Sequence, residues 1–279
     1  MYKRILILIC LIFSTMLSFA QVSESDEHVI QQTNILRMEL EKIEDPQVIF
    51  DKVSEYKTSL FTQENNFSEE TKHILETMLF IEIVKNKVKL IENDKTAKNQ
   101  FKAETETQIK KTEDYINTLK SNGKTPNKWL LLNQADLISM SLQSASISEV
   151  IQFGLKIKTY YEEALLQDEK MTFALINLGL WYYYIPGIAG GDKQKTYDLV
   201  KKSLENATVI NEEYFAKIIY AQVLFELDKK AEAKTLLEEA KSLCPGSQTI
   251  SLMEKLNNLG ISWIDYSGNP QKYDKKLKN

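Results

Sequence analysis

Apolar residues recur along almost the whole chain at three- and four-residue spacing, and alternating apolar–polar runs of strand type are scarce. That pattern predicts an all-α protein of about ten to eleven helices joined by short connections. Several boundaries are written in the sequence. Asp45-Pro46 and Thr125-Pro126 read as an N-cap followed by a first-turn proline, whose missing N–H is no loss there. Ser146-Ile147-Ser148-Glu149 fits a capping box, and Ser68 followed by Glu69 and Glu70 places a cap and two acids at a positive helix end. Asn122-Gly123 and Pro245-Gly246 punctuate helix ends. Between Asp94 and Lys124 the chain is highly polar, with Phe101, Ile109, Ile116 and Leu119 as a sparse apolar stripe. This predicts a long helix with one narrow buried face and a solvated remainder.

The C-terminal half carries an internal repeat. Residues 214–245, YFAKIIYAQVLFELDKKAEAKTLLEEAKSLCP, place small residues (Ala221, Ala233, Ala240) where two helices must approach closely. Leu224 and Leu237 take the large apolar positions, and Pro245 ends the second helix. This unit resembles a tetratricopeptide repeat, a helix-turn-helix of 34 residues, although Lys217 stands where a tryptophan is usual. The preceding unit fits if Leu178-Gly179 is the packing pair of its first helix and Thr196, Val200 and Ser203 are the small, large and small positions of its second. A weaker unit ends at Tyr161 and Ala164. The resemblance implies a right-handed stack of antiparallel helix pairs, a TPR-like α-solenoid. The expected organisation is a signal peptide over 1–20, degenerate helix pairs over 21–124, TPR-like repeats over 125–260 and a C-terminal tail over 261–279.

The stretch from Leu178 to Asp192, LGLWYYYIPGIAGGD, lengthens the loop of one unit by about five residues. It is no phosphate loop. The P-loop pattern read from Gly187 meets Asp192 where a glycine is required and Gln194 where Ser or Thr is required, and G-x-G-x-x-G is absent. The segment reads instead as a corner. Pro186 stops one helix, Gly187, Gly190 and Gly191 supply torsions closed to side chains, and Asp192 caps the next helix. An aromatic helix ending in proline, then Gly-Gly-Asp, then a lysine-rich repeat helix, is similar to the T-component proteins of TRAP transporters and to broader exported repeat proteins. That resemblance implies a periplasmic accessory role beside a solute-binding protein and an apolar ligand channel. Many members carry a lipid anchor, whereas Ile9 precedes Cys10 where a lipobox has a small residue.

Lys3 and Arg4, the apolar run Ile5–Phe13 and Ser18-Phe19-Ala20 form a secretory signal, with the mature chain expected to start at Gln21 in the periplasm or outside the cell. Its loss takes the formal charge from −4 to −6. An acidic chain is poorly suited to nucleic acid, and no run is long enough for a membrane span. One cysteine remains, Cys244, expected to be buried. His28 and His73 have no second His or Cys at ligand spacing, and no serine sits in a nucleophile elbow, so no metal, cofactor or catalytic residue is expected. In the repeat register Phe173, Ile176, Leu180 and Tyr183, then Phe215, Ile218, Gln222 and Phe225, fall on the concave face. They form either helix–helix core or an apolar groove for a protein partner or a small apolar ligand.

Overall fold

The computed structural model describes residues 23–62, 65–142 and 147–277. The expected signal segment and the cap Ser146 lie outside these residues. The described residues are all-helical, in thirteen α-helices rather than ten or eleven. In chain order these are α1 (Glu24–Leu40), α2 (Pro46–Thr62), α3 (Glu69–Leu90), α4 (Lys95–Ser121), α5 (Lys128–Ser141), α6 (Ile147–Gln167) and α7 (Thr172–Tyr184). There follow α8 (Lys193–Asn206), α9 (Ile210–Glu226), α10 (Lys230–Leu243), α11 (Gln248–Asn258), α12 (Trp263–Gly268) and α13 (Pro270–Leu277). The excess over the expected count comes chiefly from the C-terminus. Residues 261–279 were expected to be a tail, but they supply α12 and α13, whose Ile264 and Tyr273 are buried.

Most helix ends obey their local chemistry. The Asp45 carboxylate accepts from the backbone N–H of Gln47, and the Ser68 hydroxyl accepts from that of Thr71. Gly123 and Gly246 both take the left-handed conformation just beyond a helix end. The Thr125-Pro126 start is displaced. Asn127 is the N-cap of α5, its side chain accepting from the Trp129 N–H, while its own N–H is taken by the buried carboxylate of Glu70. A tertiary acceptor thus moved the boundary two residues. The polar helix α4 buries Phe101, Ile116 and Leu119 as expected, with Thr105 and Thr112 completing the stripe and Ile109 half-buried.

Sequential helices pack as neighbours, most extensively α7 on α8, α9 on α10 and α5 on α6. At these contacts Ala221, Ala233, Ala240, Thr196 and Ser203 are buried. A methyl on Gly179 would come within 2.8 Å of Val200 Cγ2, so the side chain must be absent for α7 and α8 to close. Lys217 lies between Glu213 (3.0 Å) and Glu239 (2.6 Å), which hold its ammonium beside the α9–α10 contact. The largest apolar cluster runs from Ile30 through Ile74, Ile116, Leu130 and Tyr161 to Trp181, continuous across residue 124.

Candidate functional site

The four successive aromatics of α7 divide between its two sides. Trp181 and Tyr182 are buried in the cluster that includes Tyr161, and the indole N–H of Trp181 donates to the Gly154 carbonyl at 2.8 Å. Tyr183 packs with Ile176, Ile218 and Trp263 in a second cluster. The Tyr184 hydroxyl donates to the Ile264 carbonyl of α12 at 3.0 Å. Of the eight residues read onto the concave face, Phe173, Ile176, Ile218 and Gln222 are buried, and Leu180, Tyr183, Phe215 and Phe225 are half-buried.

Two helices of the same chain cover that face. The first is α1. Its Arg37 guanidinium lies 5.5 Å from the ring centre of Phe173 and 5.9 Å from that of Phe215. Met38 joins the cluster of Ile176 and Ile218, and its carbonyl accepts from Cys244 Sγ at 3.5 Å. The Glu41 carbonyl accepts from the N–H of Gln248 at 2.8 Å. Asp26 accepts from Thr71, and Glu27 from the indole of Trp129, so α1 is fastened along its length. The second is α12. The Gln222 side-chain carbonyl accepts from the N–H of Trp263 at 2.8 Å, and Glu226 accepts from the Ser262 hydroxyl.

Under α1 lies a polar centre that the sequence did not announce. Arg37 Nε donates to Glu82 at 2.8 Å and Lys85 to the same carboxylate oxygen at 2.7 Å. Asp136 accepts from the Tyr161 hydroxyl at 2.8 Å and from Asn177 Nδ2 at 2.7 Å. Burial alone would raise the Glu82 carboxyl, but the charges and hydrogen bonds of Lys85 and Arg37 outweigh it and hold the group below its usual range. Burial wins at Asp136 and Glu41, both of which are raised. Arg37, Glu82, Asp136 and Asn177 stand on α1, α3, α5 and α7, too far apart in sequence to leave a local motif. Two cavities, of about 280 and 330 Å³, lie elsewhere. The smaller is walled by Gln31, Trp129, Asp168 and Glu212, the larger by Pro126, Leu131, Leu166 and Lys124, and neither is lined by the eight face residues.

The glycine corner joins α7 to α8. Pro186 accepts from the N–H groups of Ala189 (2.8 Å) and Gly191 (3.1 Å), and Tyr182 accepts from that of Asp192 (3.0 Å). Gly190 is left-handed, at φ 98°. Gly191 is required for another reason: a methyl there would fall 1.7 Å from the Ile185 carbonyl oxygen. Gly187 shows neither constraint, which corrects the expectation that all three glycines supply forbidden torsions. Asp192 caps α8 as expected, its carboxylate accepting from the N–H groups of Gln194 and Lys195. Ile188 at the apex is fully exposed. Its chemistry was legible in the run PGIAGG, which has no polar side chain. Cys244 is buried, and burial raises its thiol. His73 stacks on Tyr115 at 4.0 Å, while His28 is exposed. Comparison of the chain with models of known protein families, with curated proteins and with solved structures finds no match.

Proposed function

We propose that the chain is an exported, non-enzymatic helical-repeat protein that binds another protein on the outer surface of its stack. The observation that carries this reading is the packing of α1 and α12 against the residues read onto the inner face. In a tetratricopeptide-type stack the inner face is the usual recognition surface, and on that reading of the register the chain's own helices occupy it. The half-buried aromatics then serve as the seat for those helices, and the outer faces and hairpin apices are left for a partner. Export rests on Lys3, Arg4 and the Ser18-Phe19-Ala20 site.

The test is lysine-directed cross-linking in the producing cells, followed by mass spectrometry of polypeptides and small molecules retained by the exported chain. A chain starting at Gln21 and joined to a discrete polypeptide through outer-surface lysines is expected. A retained apolar small molecule with no polypeptide would overturn the reading in favour of a ligand channel. A solute-binding protein among the captured chains would favour the accessory role in transport that the T-component resemblance implies.

A further inference from the structure

We propose that the cavity of about 280 Å³ beside α1 binds a free α-amino acid with an apolar side chain. The proposal goes beyond the outer-surface reading and does not depend on it.

The cavity sits where three helices begin. Lys128 and Trp129 open α5, Met171 is the N-cap of α7, and Glu212 stands in the first turn of α9; all four line it. Helix starts carry a partial positive charge and N–H donors with no intrahelical acceptor. Side chains accept from such donors at α1, α3 and α8, but the N-caps of α7 and α9, Met171 and Val209, offer no side-chain acceptor. Unpaired polar groups gather on the same elements. Gln31 of α1 is a wall residue whose Nε2 donates to Glu27 at 3.4 Å, and that carboxylate also holds the indole N–H of Trp129 at 3.0 Å. A carboxylate takes only donors, so the amide is oriented and its buried Oε1 is the atom left without a partner. Thr172 and Asn211 follow and precede the wall residues Met171 and Glu212, and both are buried. Thr172 Oγ1 and both polar atoms of the Asn211 amide have no partner. Four of the nine such atoms among the described residues therefore belong to a wall residue or its immediate neighbour. Protein interiors pair nearly all of theirs, so this concentration marks the place where a polar molecule is expected.

The charges of the wall choose the ligand. Lys128 and Lys170 bring two cations and Asp168 and Glu212 two anions, so the wall is neutral in sum. A simple cation would find Asp168 taken, because it accepts from Lys128 Nζ at 2.7 Å and from the Lys170 N–H at 3.1 Å. A simple anion would suit the Lys170 ammonium, which has no carboxylate partner among the described residues, but it would be repelled by Glu212 and would bring Gln31 Oε1 no donor. An apolar molecule would leave every polar group unpaired. Polypeptide backbone, from a second copy or a partner, brings no charge of either sign. A carboxylate and an ammonium on one carbon serve all these groups. The ligand carboxylate meets Lys170 and the uncapped start of α7. Its ammonium meets Gln31 Oε1 and Glu212 Oε1, the Glu212 Oε2 being held by the N–H and hydroxyl of Thr208 at 3.0 and 3.3 Å. Trp129 and Met171 give its side chain an apolar wall. A cavity of about 150 Å³ holds benzene, so 280 Å³ has room for about ten non-hydrogen atoms, the size of leucine or phenylalanine.

The experiment is isothermal titration of the full exported chain with leucine, methionine and phenylalanine, with thermal melts alongside. At least one of the three is expected to bind saturably and to raise the melting temperature. Its carboxamide, which lacks the anion, and its N-acetyl derivative, which lacks the cation, are each expected to bind about tenfold more weakly or worse. Lys170→Ala and Glu212→Gln are each expected to cost about tenfold in affinity, and Lys234→Ala, at an exposed lysine far along α10, nothing. Lys170 is exposed, so its variant is expected to melt as wild type does without ligand, which separates lost binding from lost fold. No saturable binding of any of the three up to about 10 mM would overturn the proposal. Equal binding of the carboxamide would make this a site for cations and equal binding of the N-acetyl form one for anions, and either result overturns it. So would affinity indifferent to both Lys170 and Glu212, or self-association of the chain that Lys170→Ala abolishes, which would assign the cavity to a second copy. None of these results touches the capture of a polypeptide at the outer surface, which cross-linking decides separately.

Discussion

Single side chains divide into those whose size is dictated and those whose size is free, and glycine shows the difference best. Gly190 is left-handed and Gly191 has no room for a methyl, whereas Gly187 has open space around its missing Cβ. Gly190→Val and Gly191→Val are therefore each expected to lower stability by about 1–3 kcal/mol, one through torsion and the other through contact with Ile185. Gly187→Ala is expected to leave the denaturant midpoint unchanged, and equal losses at all three positions would refute this account. Ala240 is fully buried at the α9–α10 contact. Its replacement by leucine is expected to cost about 1–3 kcal/mol by overpacking, read as a lower midpoint at constant m-value.

Within one helix, neighbouring aromatics have different fates because successive residues turn by about 100°. Trp181 is buried on the side of α7 that faces α6 and bonds to the Gly154 carbonyl. Tyr183 is half-buried toward α9 and α12. Trp181→Ala is expected to cost about 3–5 kcal/mol. Tyr183→Ala is expected to cost less and to loosen α12, seen as faster amide exchange over Trp263–Gly268 while α5 and α6 stay protected. Uniform exchange across the chain in Tyr183→Ala would show that α12 is held by other contacts.

Across the whole molecule, the docking of α1 rests on buried charge and so on pH. Asp136 and Glu41 are raised when folded. Their contribution is complete below the ordinary carboxylate pKa, about 4, and is lost as pH rises through their elevated values. Glu82 is depressed, so its contribution is present above the ordinary value and is lost as pH falls through its lowered one. Stability is expected to pass through a maximum in mildly acid solution. Asp136→Asn should flatten the decline on the alkaline side, and Glu82→Gln should blunt the acid limb. Thermal melts between about pH 3 and pH 8 check both. An alkaline-side slope unchanged in Asp136→Asn would remove Asp136 from the explanation.

Helical class, most helix ends and the small packing positions were legible because their causes are local. A period of 3.6, a serine before two acids at 68–70, or an alanine spaced for close approach each act within a few residues. The start of α5 was misread for want of a distant fact, the carboxylate of Glu70 on the Asn127 N–H. The inner face shows the same division. The repeat register proposed its residues, and the helices packed on those residues could not be read from it. Arg37 meets Phe173 and Phe215, and Trp263 meets Gln222, across separations that carry no periodic signal. The residues of the apex stand in the sequence as a run without polar side chains, yet the full exposure of Ile188 is seen only in the folded loop, whose N–H groups at Ala189 and Gly191 donate to Pro186 and at Asp192 to Tyr182. Local chemistry wrote the helices and their registers. Packing among distant segments settled which helices cover Phe173, Phe215 and Gln222 and which side chain is left in water, because burial is a property of the assembled surface rather than of any stretch of chain.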